Sequence, residues 1–312
     1  MNALSTHRYP DWNVLGKDWP NRENSRFVRS GPLTWHVQVA GSGPALLLIH
    51  GTGAASHSFR RMLPDLARDF TVIVPDLPGH GFTRGASQHD LTLSGMARAL
   101  AALIAELKLS IVCAAGHSAG AAILLRMALD GRLPQCKLIV GFNAAIRPIA
   151  GSGIYGPLAR LLFINPLAPK LFAWRAESMD ATRRLLAGTG STIEPEGVAL
   201  YRALFRHSGH VAGTLGMMAN WDLESLNTDL GKLKTTTMLV ATRGDKAVPF
   251  ADSQSVAALS PAITTLILNE GGHLYHEEQP NEAARLLRLL ASDAAIAPGA
   301  TRTGEPEPSE DR

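Results

Sequence analysis

Ser118, Asp245 and His273 are three residues whose types, order and settings could together do covalent chemistry. A serine hydroxyl is a poor nucleophile at neutral pH; it needs a base to take its proton, and the base needs an acid to orient it. Ser118 lies in Gly116-His117-Ser118-Ala119-Gly120, after an apolar run at 111–115 that reads as a buried strand and before 121–129, which reads as a helix. Strand, G-x-S-x-G and helix describe a strained turn that lifts the hydroxyl above the end of a sheet, with glycines where a Cβ would clash. The plain alternative is a Gly-rich turn with an incidental serine; the strand and helix on either side count against it. Asp245 follows an apolar run at 238–242, and His273 follows another at 264–268. Alone, each reads equally well as a turn aspartate or a loop histidine. Together, in the order Ser, Asp, His and each just past a strand, they read as the partners of Ser118. His276 is a rival base, but it lies toward the following helix.

Attack on a carbonyl places negative charge on its oxygen, so pre-aimed N–H donors must be near. Ala119, directly after the serine, supplies one. The other is expected from His50-Gly51-Thr52-Gly53, which follows the apolar run at 45–49; Thr52 is the first choice and Gly53 the next. A plain strand-to-helix turn is the competing reading of that loop. His50 and His117 read as residues beside the catalytic loops. The 11 histidines invite a metal reading, but no H-E-x-x-H or comparable ligand spacing is present. No cofactor is expected, since neither a G-x-G-x-x-G nor a P-loop occurs in a nucleotide-binding context.

The elements that must position these residues alternate. Strands are expected near 33–39, 45–49, 71–74, 111–115 and 138–142, with helices near 57–68 and 91–107 between them. This pattern predicts an α/β fold with a mostly parallel sheet covered on both faces. Residues 1–25 form an arm whose Trp12 and Trp19 are expected to pack onto the domain. The body comprises 26–145 and 222–291, closing with a helix at 281–290. Residues 146–221, helix-like, apolar and punctuated by Pro and Gly, read as an inserted helical lid, and 292–312 as a disordered tail. In the lid region Phe163, Met217, Met218 and Trp221 could line an apolar substrate chamber, against the default that they pack in the core. Arg160, Lys170, Arg175, Arg183 and Arg184 read as a solvated face, with contact to substrate carboxylates or a membrane surface as the sharper alternative.

With 312 residues, 46% hydrophobic and 18% charged, the chain can bury a sizeable core. A net charge of +3 without a basic block argues against nucleic acid. Two cysteines, Cys113 and Cys136, give no disulfide framework, which suits a reducing cytosol. The start lacks a secretory pattern, and no apolar run is long enough to span a bilayer. A cytoplasmic protein is therefore expected.

From about Phe27 to Leu290 the chain resembles the α/β-hydrolase superfamily. The resemblance rests on the elbow, the late Asp and His, the His50 loop, and the strand with Asp76-Leu77-Pro78-Gly79-His80-Gly81. A narrower resemblance rests on Asp18-Trp19-Pro20-Asn21-Arg22, Trp35-His36-Val37-Gln38, Arg126 to Gly131 and Gly216-Met217-Met218-Ala219-Asn220-Trp221-Asp222. These are similar to a subfamily of bacteriochlorophyll biosynthesis described as a magnesium-chelatase accessory protein. The resemblance implies an α/β-hydrolase fold with a helical lid, acting on an apolar ester or related carbonyl substrate near magnesium insertion into protoporphyrin. It names magnesium chelatase or a porphyrin as partner and a place at the edge of the photosynthetic membrane. Two alternatives stay open: a non-catalytic accessory or porphyrin-binding protein, and a cofactor-free peroxidase or perhydrolase.

Overall fold

The computed structural model describes residues 7–147, 167–175 and 178–296. Eight strands, β1 (Ser25–Ser30), β2 (Leu33–Ala40), β3 (Ala45–Ile49), β4 (Thr71–Pro75), β5 (Ile111–His117), β6 (Leu138–Phe142), β7 (Thr236–Thr242) and β8 (Ile263–Leu268), form one sheet. Its order is β1-β2-β4-β3-β5-β6-β7-β8. β2 pairs antiparallel with β1 and β4; the other pairings are parallel. β3, β5, β6, β7 and β8 therefore all end at the same edge, where the loops of a parallel sheet converge.

The strands point alternate side chains to opposite faces. In β3, Leu47 and Ile49 join the core shared with α2 (Leu93–Leu107) and α3 (Ala119–Leu129). Leu46 and Leu48 join the core shared with α1 (Met62–Leu66) and α11 (Pro280–Asp293). Buried on both faces, such a strand reads as a continuous apolar run. α2 is amphipathic, burying Leu93, Met96, Ala97, Leu100, Leu103 and Ile104, and is capped by the Thr92 side chain, which accepts the Gly95 N–H.

Three expectations need correction. The strand β1 was not foreseen; Ser25–Ser30 is charged and half exposed as an edge, so its pattern is weak. The helix expected at 57–68 is a 3-10 turn, Ser56–Phe59, followed by the short α1. Pro64 has no N–H to give the Arg60 carbonyl, and Asn21 Nδ2 takes that carbonyl at 2.9 Å instead. Residues 292–296, expected in the tail, belong to the folded body. Ala295 at φ 52 ends α11, the Ile296 N–H bonds the Ala291 carbonyl at 2.9 Å, and Ile296 packs on the core. Residues 297–312 lie outside the described residues.

The arm packs onto the body. Trp19 is buried and its indole N–H donates to Ser56 Oγ at 3.1 Å; Trp12 meets Phe27, His36 and Phe82 edge-on or tilted. Beneath it, Asp76 accepts from the N–H groups of Ser56 and Phe82 and contacts His36 Nδ1 at 2.9 Å. Burial opposes its ionisation, but His36 and the Phe82 N–H outweigh it and hold the carboxyl well below the usual range. Between β6 and β7 the described residues form α4 (Ala168–Arg175), α5 (Met179–Ala187), α6 (Pro195–Phe205), α7 (Ser208–Ala219) and α8 (Glu224–Asp229). The last two helices before α11 are α9 (Phe250–Ala257) and α10 (Tyr275–Glu278).

Candidate active site

Ser118 stands between β5 and α3 at φ 51, ψ −119, a backbone conformation that side-chain-bearing residues rarely adopt. The turn is held by the Ser118 N–H to the Phe142 carbonyl (3.0 Å) and by the Ala121 and Ala145 N–H groups to the Ser118 carbonyl. It is possible only because α3 comes very close to the strands. A Cβ on Gly120 would lie 2.3 Å from the Ile49 carbonyl oxygen, and one on Gly116 2.5 Å from the Ala121 nitrogen.

The loops after β7 and β8 bring Asp245 and His273 to this serine. His273 Nε2 lies 3.1 Å from Ser118 Oγ, and Nδ1 lies 2.8 Å from Asp245 Oδ2. Asp245 Oδ1 accepts from the Ala247 and Val248 N–H groups, each at 2.8 Å, and Oδ2 accepts from Asn143 Nδ2 at 2.9 Å. A carboxylate held this way accepts a hydrogen bond from Nδ1–H, so the proton stays on Nδ1 and Nε2 is left to accept from the serine hydroxyl. Asn143, directly after β6 at φ 46, also reaches Thr242 Oγ1 at 2.9 Å, and that hydroxyl donates to the Gly272 carbonyl.

The His50 loop lies beside the elbow: a Cβ on Gly51 would sit 3.0 Å from Ser118 Cβ. Two neutral histidines brace it. His50 Nδ1–H donates to the Gly51 carbonyl while Nε2 accepts the Leu77 N–H. His210 Nε2–H donates to the Gly53 carbonyl while Nδ1 accepts the Gly81 N–H. Burial pushes both pKa values down, that of His210 to about 4, so both stay neutral in ordinary buffers. Ala119 occupies the first position of α3, where an N–H has no carbonyl within the helix to bond. The arrangement can therefore pass a proton from Ser118 Oγ to His273 Nε2.

Residues 46–286 match the alpha/beta hydrolase family. The chain belongs to this family. It is similar to the magnesium-chelatase 30 kDa subunit of Rhodobacter capsulatus, with 41% identity over 271 residues, 86% of this chain and 94% of the relative. It is 28% identical over 272 residues to the pimeloyl-[acyl-carrier protein] methyl ester esterase of Xanthomonas oryzae pv. oryzae, covering 82% of this chain and 99% of that enzyme. Among solved structures, epoxide hydrolase CorEH superposes with a TM-score of 0.74 at 20% identity, covering 86% of this chain and 98% of that one. That likeness is one of fold alone.

Beyond the motifs shared across the alpha/beta hydrolase family, the segment between β6 and β7 contributes directly to the site. The Thr189 carbonyl accepts the N–H of Lys246 at 3.0 Å and of His273 at 3.4 Å, joining the loops of the acid and the base. Ser191 Oγ accepts the Leu274 N–H at 2.8 Å, and the Glu278 carboxylate accepts from Thr192 N–H and Gly272 N–H, each at 2.6 Å. On α6, Tyr201 OH donates to Glu277 Oε1 at 2.7 Å. Glu277 is itself buried with Arg60 Nη1 at 2.6 Å and Ser58 Oγ at 2.7 Å. None of Asn143, Thr189, Ser191, His210, Tyr201 or Glu277 was foreseen.

The remaining expected residues divide. Met217 is fully buried and accepts the Thr52 hydroxyl at 3.4 Å on its sulfur. Met218 does not join the site: the next position on α7 turns outward and is 47% exposed. Trp221 packs against the core of α2 and α3, with its indole N–H buried and unpartnered among the described residues. Phe163 lies outside the described residues, as does Arg160. His117 Nε2 donates to the His273 carbonyl at 2.9 Å and so braces the base. His276 is fully buried, donates from Nε2 to Ser58 Oγ at 2.9 Å, and has its pKa pushed to about 3 by burial and by the charges of His273 and Arg60. It is fixed away from the serine. No group of three or more His, Cys, Asp or Glu side chains is placed to hold a metal among the described residues.

Proposed function

We propose that the protein is a serine hydrolase that cleaves an apolar ester or related carbonyl compound. The observation that carries this reading is the unbroken chain Ser118 Oγ, His273, Asp245, with Ser118 on a strained turn. His273 Nε2 takes the hydroxyl proton as Oγ bonds to the carbonyl carbon. The oxyanion rests on the Thr52 and Ala119 N–H groups. Collapse expels the alcohol, which receives the proton from Nε2, and water repeats the sequence on the acyl-enzyme. Helices α5 to α7 act as the lid over the acyl site, with α4 packed on α7 through Ala173, Val211 and Leu215, and Met217 supplies part of the apolar wall.

The pathway reading rests on the 41% identical relative, whose name is that of a magnesium-chelatase subunit. It supports a role in bacteriochlorophyll synthesis near magnesium insertion. The same name favours a second reading, a non-catalytic accessory or porphyrin-binding protein that retains the fold. Complementation separates the two. A strain lacking the protein should recover pigment with the wild type and fail with a folded, expressed Ser118→Ala, because that change removes the nucleophile and little else. Full rescue by the variant would leave the accessory reading in its place.

A further inference from the structure

We propose that α4 and the end of α7 form a docking face for a lipid bilayer with anionic headgroups. α4 packs on α7 through Ala173 against Val211 and Leu215. Its outward side is apolar: Leu171 is 61% exposed, Phe172 45% and Trp174 67%. Met218, one turn beyond Leu215 on the α7 stripe that α4 packs against, extends the patch. Single exposed apolar side chains are ordinary; three within one two-turn helix, continued by a fourth on its neighbour, are not.

The charges on this face indicate its occupant. Lys170 and Arg175 are both exposed among these apolar groups, and α4 carries no carboxylate. Basic residues flanking Leu, Phe and Trp are the composition of an interfacial helix, whose long cationic side chains reach headgroups while the apolar ones enter the acyl boundary. A second copy of the chain is a poorer occupant, because a two-fold contact would bring the same positive residues together. No helix among the described residues is long and apolar enough to cross a membrane, so the contact would be peripheral.

The placement deepens the proposed function and rests on it for its purpose. Met218 faces outward and Met217, the residue before it, touches Thr52. Consecutive residues lie about 100° apart around a helix, so the face and the Thr52 loop meet neighbouring sides of the end of α7. An apolar substrate dissolved in a bilayer would meet the protein next to its acyl site.

The test uses the full chain carrying Ser118→Ala, so that binding is read without turnover, and phosphatidylcholine vesicles with or without phosphatidylglycerol. The protein should float with the phosphatidylglycerol vesicles and much less with phosphatidylcholine alone. Leu171→Gln with Trp174→Gln should weaken binding by about 10-fold or more, and Lys170→Glu with Arg175→Glu should remove the preference for phosphatidylglycerol. Both pairs, placed back in the Ser118 protein, should hydrolyse a soluble aryl ester at the same rate as the parent, which separates this proposal from the assignment of the triad. Failure of the parent to float would overturn it, as would equal flotation of the variants. A concentration-dependent dimer dissolved by Trp174→Gln would also overturn it, assigning the face to a second copy.

Discussion

Asp245 receives hydrogen bonds from His273 Nδ1, Asn143 Nδ2 and the N–H groups of Ala247 and Val248, so each carboxylate oxygen is committed. Asparagine in its place keeps the shape but offers an N–H₂ group on one side. The backbone donors of Ala247 and Val248 compel its carbonyl oxygen to face them, which turns the amide nitrogen toward His273. The imidazole then holds its proton on Nε2 and cannot accept from Ser118. We expect Asp245→Asn to lower kcat by about 10⁴-fold with little change in fold; wild-type turnover in that variant would contradict the roles assigned. Ser118, Asp245 and His273 are legible in the sequence because each follows a short apolar run. Asn143 is not, since a polar residue after β6 has no spacing to distinguish it. Its contact with Asp245 exists only because β6 and β7 are neighbours in the sheet.

At the scale of elements, the loop from Thr189 to Thr192 behaves as a clamp across the two loops that carry acid and base. It fits because three backbones meet without side chains. Gly190 has φ +88, and a Cβ there would lie 2.2 Å from the Gly244 carbonyl oxygen; a Cβ on Gly272 would lie 2.4 Å from Gly190. Gly190→Ala should therefore cost roughly 2 kcal/mol of stability and lower kcat by about 10-fold, through misplacement of His273. Gly231→Ala is the control, since the nearest atom to its Cβ would be 3.6 Å away. Equal kcat for the two variants, measured well below their melting temperatures, would show that the clamp does not position the base. Strands β3 and β6 were readable to the residue because they are buried on both faces and uninterrupted. The clamp was not readable, because a carbonyl oxygen that bonds two distant loops leaves no trace in side-chain pattern. The break between Phe59 and α1 shows the other kind of miss: Pro64, which cannot donate to the Arg60 carbonyl, was present in the sequence.

Across the whole molecule, His50, His57, His80, His117, His210 and His276 are fully buried, and in each burial lowers the pKa. A base with a lowered folded-state pKa is neutral when folded and binds its proton on unfolding. The unfolded chain thus holds more protons below pH 6.5, and stability falls as the pH falls. The window opens near 6.5 and closes at about 4 for His210 and about 3 for His276. Each such residue removes about 1.4 kcal/mol per pH unit within its window. Glu277 and Asp252 act oppositely, because burial raises their pKa values, but they are two groups against six. The melting temperature should be flat between pH 7 and 8 and drop steeply from 6.5 toward 4, less steeply in His210→Gln; a flat profile to pH 5 would contradict the neutral, buried assignment. The family and its sheet were legible from the alternation of apolar runs and the elbow. The packing of these histidines was not, because histidines far apart in sequence meet only after the loops of five strands converge. Whether this convergence activates Ser118 can be read by labelling with a fluorophosphonate probe. The wild type should be labelled, and Ser118→Ala should not, with His273→Ala reduced by about 10³-fold in rate. Equal labelling of wild type and Ser118→Ala, or none of the folded wild type, would contradict that activation.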